Sequence, residues 1–305
     1  MGCWAIGGSS LVNGKRRGWG EVDDNESIRA IHQALEMGVT FFDTADAYGS
    51  GRSERVLGQA LEGRRDQVII STKFAKLFNE QTGERIEEIN SSPEYIRAAC
   101  EGSLRRLRTD YIDLYLFHST KHDLEDALNV RDVLDQLVAE GKIRYYGWST
   151  DDAERAQLFA EGVHGVAVQQ ELNIFEGNAK TLAVCEAAGM ASICRSPLAM
   201  GLLTGKFTSE STLSPEDIRF KKWNLKTGKQ AQHLDRLQTL REVLTSDGRT
   251  LVQGALGWLW AKSDLTIPIP GFKTVVQVQE NAGALRFGPL SAEQMQQIEE
   301  LKTEN

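Results

Sequence analysis

Short apolar runs alternate with longer amphipathic stretches from one end of the chain to the other. Residues 39–43 (Val-Thr-Phe-Phe-Asp), 68–73 (Val-Ile-Ile-Ser-Thr-Lys) and 111–118 (Tyr-Ile-Asp-Leu-Tyr-Leu-Phe-His) read as buried strands. Between them apolar side chains recur at helical spacing. Ile28, Ile31 and Leu35 mark a helix over 25–37, opened by Asn25 and stopped by Gly38. Val56, Leu57, Ala60 and Leu61 mark one beginning at Ser53. Ile96, Cys100, Leu104 and Leu107 mark one beginning at Pro93, a residue suited to a first helical turn. Helix 123–140 follows, with Ala127, Val130, Leu134 and Leu137 on one face.

Further strands are expected at 143–149, 164–170, 190–195 and 265–271, with a short one at 2–6. Helices are expected from Asp151, over 178–188, 231–245 and 249–262, and from Val275 and Ser291. Two polar stretches, 75–92 and 205–229, read as long insertions. The strands number eight, and each is followed by helix. Such alternation predicts a parallel sheet with right-handed crossovers.

Polar side chains end these strands one after another, around the whole set. That distribution favours an α/β fold of the closed (β/α)₈ TIM-barrel type, filling residues 1–305 as a single domain. An open sheet would gather its site at one switch point. No Gly-x-Gly-x-x-Gly follows any strand, which argues against a Rossmann dinucleotide site.

Composition then narrows the class. The chain has 305 residues, 41% hydrophobic and 26% charged, as in soluble globular domains. No apolar run is long enough to span a membrane, and the start lacks the basic and apolar segments of a signal peptide. A net charge of −8, with no extended basic block, speaks against nucleic acid as a partner. Cys3, Cys100, Cys185 and Cys194 form no Cys-x-x-Cys pair and lie in apolar stretches. They read as buried free thiols of a reducing, cytoplasmic compartment rather than disulfides or metal ligands. Nothing in the chain fixes an oligomeric state.

The candidate chemistry sits at three strand ends. Asp43, Tyr48, Lys73 and His118 supply an acid, a phenol, an amine and an imidazole. Singly, each has an ordinary structural role: a packed tyrosine, a solvated lysine, a hydrogen-bonded histidine. Their joint placement on successive strand ends is what points to a site. An ammonium at about 4 Å attracts a phenolate by roughly 4 kcal/mol at an effective dielectric near 20. Lys73 is therefore expected to lower the Tyr48 pKa, with Asp43 orienting the lysine and weakening that pull. His118 would orient a carbonyl or share the proton. This set suits protonation of a developing alkoxide, as carbonyl reduction requires.

Several strings carry a resemblance. Asp43-Thr44-Ala45 with Tyr48-Gly49 and Gly51-x-Ser53-Glu54 is one. Leu104-x-x-Leu107-x-Thr109-Asp110-Tyr111-Ile112-Asp113 running to His118 is another. Glu140-Gly141-Lys142-Ile143-Arg144 with Gly147-Trp148-Ser149-Thr150 is a third. Ser196-Pro197-Leu198 with Gly201 to Lys206, and Ile267 to Lys273 with Glu280-Asn281, complete the set. Over nearly its whole length the chain resembles the aldo-keto reductases, most closely the bacterial branch with general-stress and inositol-cluster reductases. It shares motifs with the potassium-channel β-subunits.

The resemblance implies a (β/α)₈ barrel that reduces an aldehyde or ketone with NADP(H), NAD(H) being the second choice. It makes Asp43, Tyr48, Lys73 and His118 the catalytic tetrad, with Tyr48 the proton donor. It assigns Ser149, Thr150 and Gln169 to the nicotinamide carboxamide, and Ser196, Leu198 and Lys206 to the pyrophosphate. Gly271, Phe272, Lys273, Gln277, Glu280 and Asn281 fall in the adenosine segment. Against the family pattern, a first hairpin and part of strand 1 are missing ahead of Met1. Arg195 stands where relatives place an aromatic on the nicotinamide, and a guanidinium plane can stack there too. Gln277 stands where a basic residue often grips the 2′-phosphate. Trp4, Phe74 and Trp223, with Trp19 and Phe78, are the candidates for a substrate pocket. Two other readings stay open: a cofactor-binding regulatory barrel, and a Lys73 Schiff-base aldolase.

Overall fold

The computed structural model describes residues 1–120 and 122–303. A hairpin of β1 (Ser9–Val12) and β2 (Lys15–Gly18) precedes helix α1 (Asp24–Glu36). Then come β3 (Phe41–Asp43), α2 (Arg52–Ala60) and β4 (Ile69–Phe74). A second hairpin, β5 (Lys76–Asn79) and β6 (Glu84–Ile89), leads to α3 (Pro93–Leu107). Next are β7 (Ile112–Phe117), α4 (Leu124–Ala139), β8 (Ile143–Ser149), α5 (Ala153–Ala160) and β9 (Gly165–Glu171). After α6 (Ala179–Ala188) and β10 (Ala191–Arg195) come α7 (Lys229–Leu244), α8 (Leu251–Lys262) and β11 (Thr266–Pro268). Helices α9 (Val275–Gly283) and α10 (Ala292–Thr303) follow.

Seven strands form one parallel sheet in the order β11-β10-β9-β8-β7-β4-β3. Its two edges meet at the start of the chain. Gly2 bridges in parallel to both Asp43 and Gly271. The Gly2 N–H donates to the Pro270 carbonyl at 2.9 Å, and the Cys3 N–H to the Asp43 carbonyl at 2.8 Å. Residues 1–3 thus hold the eighth position and close the barrel. A Cβ on Gly2 would lie 2.7 Å from the Ile269 carbonyl oxygen, so only glycine permits this approach.

Two expectations need correction. The strand expected at 2–6 ends by residue 3, because Ala5–Gly7 winds into a 3₁₀ turn and Gly8, at φ 72°, redirects the chain into the first hairpin. The polar insertion at 75–92 is not a loop throughout: β5 and β6 pair antiparallel within it, and β6 joins β1 through Leu11 and Glu84. Charged residues on both faces of β6 hide its period of two. The stretch 205–229 does stay irregular, apart from a bridge between Asp217 and Gly18.

Local chemistry accounts for the elements. The Asp23 carboxylate caps α1, two residues ahead of the expected Asn25. Ser92 caps α3 with Pro93 in its first turn, and Thr250 with Gln253 forms a capping box on α8. Tyr115, Phe117, Trp148 and Phe159 are wholly buried between barrel and helices. Each such side chain contributes on the order of 1.5–3 kcal/mol of burial free energy. All four cysteines are free and buried. Among the described residues no helix is long and apolar enough to cross a membrane.

Candidate active site

Alternation along the strands sends one residue inward and the next outward. Asp43, Lys73 and Gln169 come from β3, β4 and β9 and meet inside the barrel. The Lys73 ammonium donates to Asp43 Oδ2 at 2.7 Å, to the Thr44 carbonyl at 2.6 Å and to the Tyr48 hydroxyl at 3.2 Å. Asp43 Oδ1 accepts from Gln169 Nε2 at 2.7 Å and from Ser71 Oγ at 3.1 Å. Lys73 is 0% exposed and Asp43 2%. A buried ion pair of this kind persists only when its remaining donors and acceptors are satisfied, and here they are.

Tyr48 reaches the lysine from the turn after β3. Gly49 takes φ 59° there, and a Cβ on it would lie 2.0 Å from the Gly7 carbonyl oxygen. Trp4 stacks on the Tyr48 ring at 5.8 Å between centroids. The His118 ring meets Tyr48 edge-on at 6.1 Å. His118 Nε2 lies 2.9 Å from the ammonium nitrogen of Lys76, at the start of β5.

Electrostatics refines the sequence reading. Tyr48 was expected to be lowered by Lys73. Its pKa is instead raised, because burial outweighs the pull of the ammonium and Asp43 works against that pull. Burial also presses Lys73 downward, but the Asp43 carboxylate and Tyr48 more than offset it, and the amine is raised above its usual value. Burial, with Lys76 and Lys73 beside it, holds His118 well below the ordinary imidazole value. At neutral pH the site therefore holds a protonated phenol, a charged lysine and a neutral histidine.

These groups open into a cleft of about 660 Å³. Asp43, Tyr48 and His118 line one end with Trp4 and Trp19. Ser149 and Gln169 line its wall, their side chains 3.5 Å apart. Ser196, Leu198 and Lys206 line it too, as do Gly271, Phe272, Lys273, Gln277, Glu280 and Asn281. Asn281 Nδ2 donates to the Gly271 carbonyl at 3.2 Å, and the Lys273 N–H to Gln277 Oε1 at 2.7 Å. The Lys273 ammonium donates to the carbonyls of Trp19 and Glu21. Arg195 lines the cleft too, with its guanidinium held by Asp151 and Glu171.

Four expected residues lie elsewhere, among them Phe78, whose ring lies under the Arg106 guanidinium at 5.6 Å. Thr150 is wholly buried beside the cleft wall. Phe74 follows Lys73 on β4, so it faces outward and stacks on Tyr115 and Phe117 in the core. Trp223 packs on Phe207 and Arg219. None of these aromatics lines the substrate end. Arg17, Lys76, Arg85 and Arg219 line the cleft and were not expected there. For Lys76 the signal was its spacing, three residues beyond Lys73. For Arg17 and Arg85 it was pairing between the two hairpins, which spacing does not give, and Arg219 comes from the irregular stretch 205–229.

A cofactor the size of a dinucleotide fits this geometry. The volume lies in the range of small-molecule sites. The cleft offers Lys206 and Lys273, neither in an ion pair with a carboxylate among the described residues, to anionic phosphates.

Known proteins agree with that geometry. The family model of the Aldo/keto reductase family matches residues 1–303. The chain is 32% identical over 277 residues to "Aldo-keto reductase yakc [NADP(+)]" of Schizosaccharomyces pombe, covering 88% of this chain and 80% of that protein. It is 31% identical over 290 residues to aldo-keto reductase YhdN of Bacillus subtilis, covering 92% and 82%. Among solved structures, the glycerol dehydrogenase of Gluconobacter oxydans superposes with TM-score 0.84 at 28% identity, over 99% of this chain and 90% of that one. An aldo-keto reductase of Klebsiella pneumoniae in complex with NADPH gives TM-score 0.68 at 28% identity, over 91% and 85%. This chain belongs to the aldo/keto reductase family.

Proposed function

We propose that this protein is an NADP(H)-dependent carbonyl reductase in which Tyr48 donates the proton. The observation that carries the reading is the buried Asp43–Lys73–Tyr48 chain, which ends at a cleft that Lys206 and Lys273 also line. When bound, the reduced nicotinamide supplies a hydride to the carbonyl carbon. Ser149 and Gln169 would hold its carboxamide, and Lys206 and Lys273 its phosphates.

The chain's own residues handle the proton. As charge develops on the carbonyl oxygen, the Tyr48 O–H donates to it. The phenolate left behind faces the Lys73 ammonium at 3.2 Å. Asp43 keeps that ammonium charged and fixed. At an effective dielectric near 20 the attraction is on the order of 4 kcal/mol, most useful as the proton leaves. His118, neutral and accepting from Lys76 at Nε2, does not compete as the acid. Trp4 stacks against the Tyr48 ring at 5.8 Å between centroids.

Lys73 donates to three acceptors and is wholly buried and charged. A Schiff base requires a neutral, approachable amine, so the aldolase reading loses its nucleophile. The test is fluorescence titration with NADPH and NADH, then a panel of aldehydes and ketones. Cofactor oxidation with at least one carbonyl is expected. Tight cofactor binding with no turnover on any of them would favour a regulatory barrel instead.

A further inference from the structure

Lys76 and Arg85 belong to the second hairpin, and both reach the cleft at the end where Tyr48 and His118 stand. Lys76 uses one of an ammonium's three donors on His118 Nε2, at 2.9 Å. Among the described residues neither Lys76 nor Arg85 makes an ion pair. Arg17, across the same cleft, makes none either. Cations gathered this closely repel one another, and here no carboxylate repays them. The one acid close enough to favour charge on Lys76 is Asp46. Burial, and Glu54 nearby, raise the Asp46 carboxyl well above its ordinary value. The remaining neighbours of Lys76 are Arg85, Lys73 and Arg195, all cationic, and the neutral His118.

We propose that Lys76 and Arg85 form a subsite for an anionic group on the substrate, a carboxylate or phosphate carried by the aldehyde or ketone itself. The proposal rests on the carbonyl-reductase reading and names its substrate class. The cofactor's phosphates do not require the pair, because the cleft also has Lys206 and Lys273 for them. The ammonium on His118 places the anionic group within a few bonds of the reacting carbonyl. The unspent donors of Lys76 and the free fork of Arg85 match two oxygens of one anion. The apolar wall of Trp4 and Trp19 then receives the linking carbons. Burial and Arg85 lower Lys76 to about 8, so it keeps most of its charge at neutral pH, and a bound anion would secure it.

The test uses matched aldehydes that differ in charge. 4-Carboxybenzaldehyde is compared with methyl 4-formylbenzoate, and 4-formylphenyl phosphate with 4-methoxybenzaldehyde. The full-length enzyme with NADPH is assayed as wild type, Lys76→Met and Arg85→Gln. The ratio of kcat/KM for the charged to the neutral member cancels any general loss of activity. In at least one pair each variant should lower that ratio by about tenfold or more, as loss of a charge-assisted hydrogen bond implies. Which pair responds tells carboxylate from phosphate. Dissociation constants for NADPH should change less than about twofold, since the pair is not asked to hold the cofactor. Ratios that both variants leave unchanged would overturn the subsite. A loss of NADPH affinity as large as the loss in ratio would also overturn it, by assigning the pair to the cofactor. Failure of wild type to reduce the two charged aldehydes while it reduces other carbonyls would overturn the subsite, whereas failure with every carbonyl of the panel would strike the reductase reading itself.

Discussion

Each polar group in the site is set by its partners, and single substitutions read those settings. Lys73→Met removes the cation that stabilises the departing phenolate. The Tyr48 pKa, already raised by burial, then rises further. The phenol stays protonated at neutral pH, so the loss appears in the rate of proton donation and not in acid availability. A fall in kcat of about 10²-fold or more is expected, with little change in cofactor affinity. A pH–rate profile that superimposes on wild type would make Lys73 merely structural. Lys76 gives a second reading. Its folded value of about 8 lies below the ordinary 10.5, so its charge is present below about 8 and lost as pH rises through that value. The preference for a charged aldehyde should fade over the same window. For stability the sign is opposite: the unfolded chain binds more protons between about 8 and 10.5, so this group makes folding more favourable as pH rises there. That Asp43, Tyr48, Lys73 and His118 come together was legible in the sequence because each ends or follows a strand. The direction of the Tyr48 shift was not. Spacing reveals which charges are neighbours but not how much water is excluded around them.

Among the elements, the barrel strands were legible and the hairpins were not. β4, β7 and β8 are apolar over several residues, a pattern that burial dictates. β6 reads Glu-Arg-Ile-Glu-Glu-Ile, exposed over most of its length, and only pairing with β5 and β1 makes it a strand. That is why Arg85 was invisible as a site residue. Arg195 fell in the right place at the end of β10, but its guanidinium direction depended on Asp151 and Glu171, which arrive from other loops. With the positive charge already paired, Arg195→Tyr should shift the ratio of NADP⁺ to NADPH dissociation constants by less than about threefold, well under a full cation–π exchange. A larger tightening of NADP⁺ would place the guanidinium against the nicotinamide ring. The turn after β3 is a harder constraint. Gly49→Ala would drive a Cβ to 2.0 Å from the Gly7 carbonyl oxygen in a left-handed conformation. The loss of stability should reach about 1–3 kcal/mol by thermal or denaturant unfolding. Unchanged unfolding would mean that the turn can move without disturbing the barrel.

At the scale of the molecule, the two ends of the chain build one site. Residues 1–3 close the barrel against β3 and the segment after β11, and Lys273 reaches back to the carbonyls of Trp19 and Glu21. Closure by this short segment was only partly legible, since a strand of three residues has no period to read. The cofactor end of the cleft is therefore held by contacts distant in sequence. Lys273→Ala should weaken NADPH more than NADH, because Gln277 brings no charge to a 2′-phosphate; equal losses for the two would place that preference elsewhere. The central claim is that Tyr48 gives the proton to the reacting oxygen. Single-turnover oxidation of bound NADPH by an accepted aldehyde, compared between wild type and Tyr48→Phe, tests it most directly. The account predicts a rate lower by about 10²- to 10⁴-fold with the NADPH dissociation constant nearly unchanged. A Tyr48→Phe enzyme that turns over at close to the wild-type rate would contradict it.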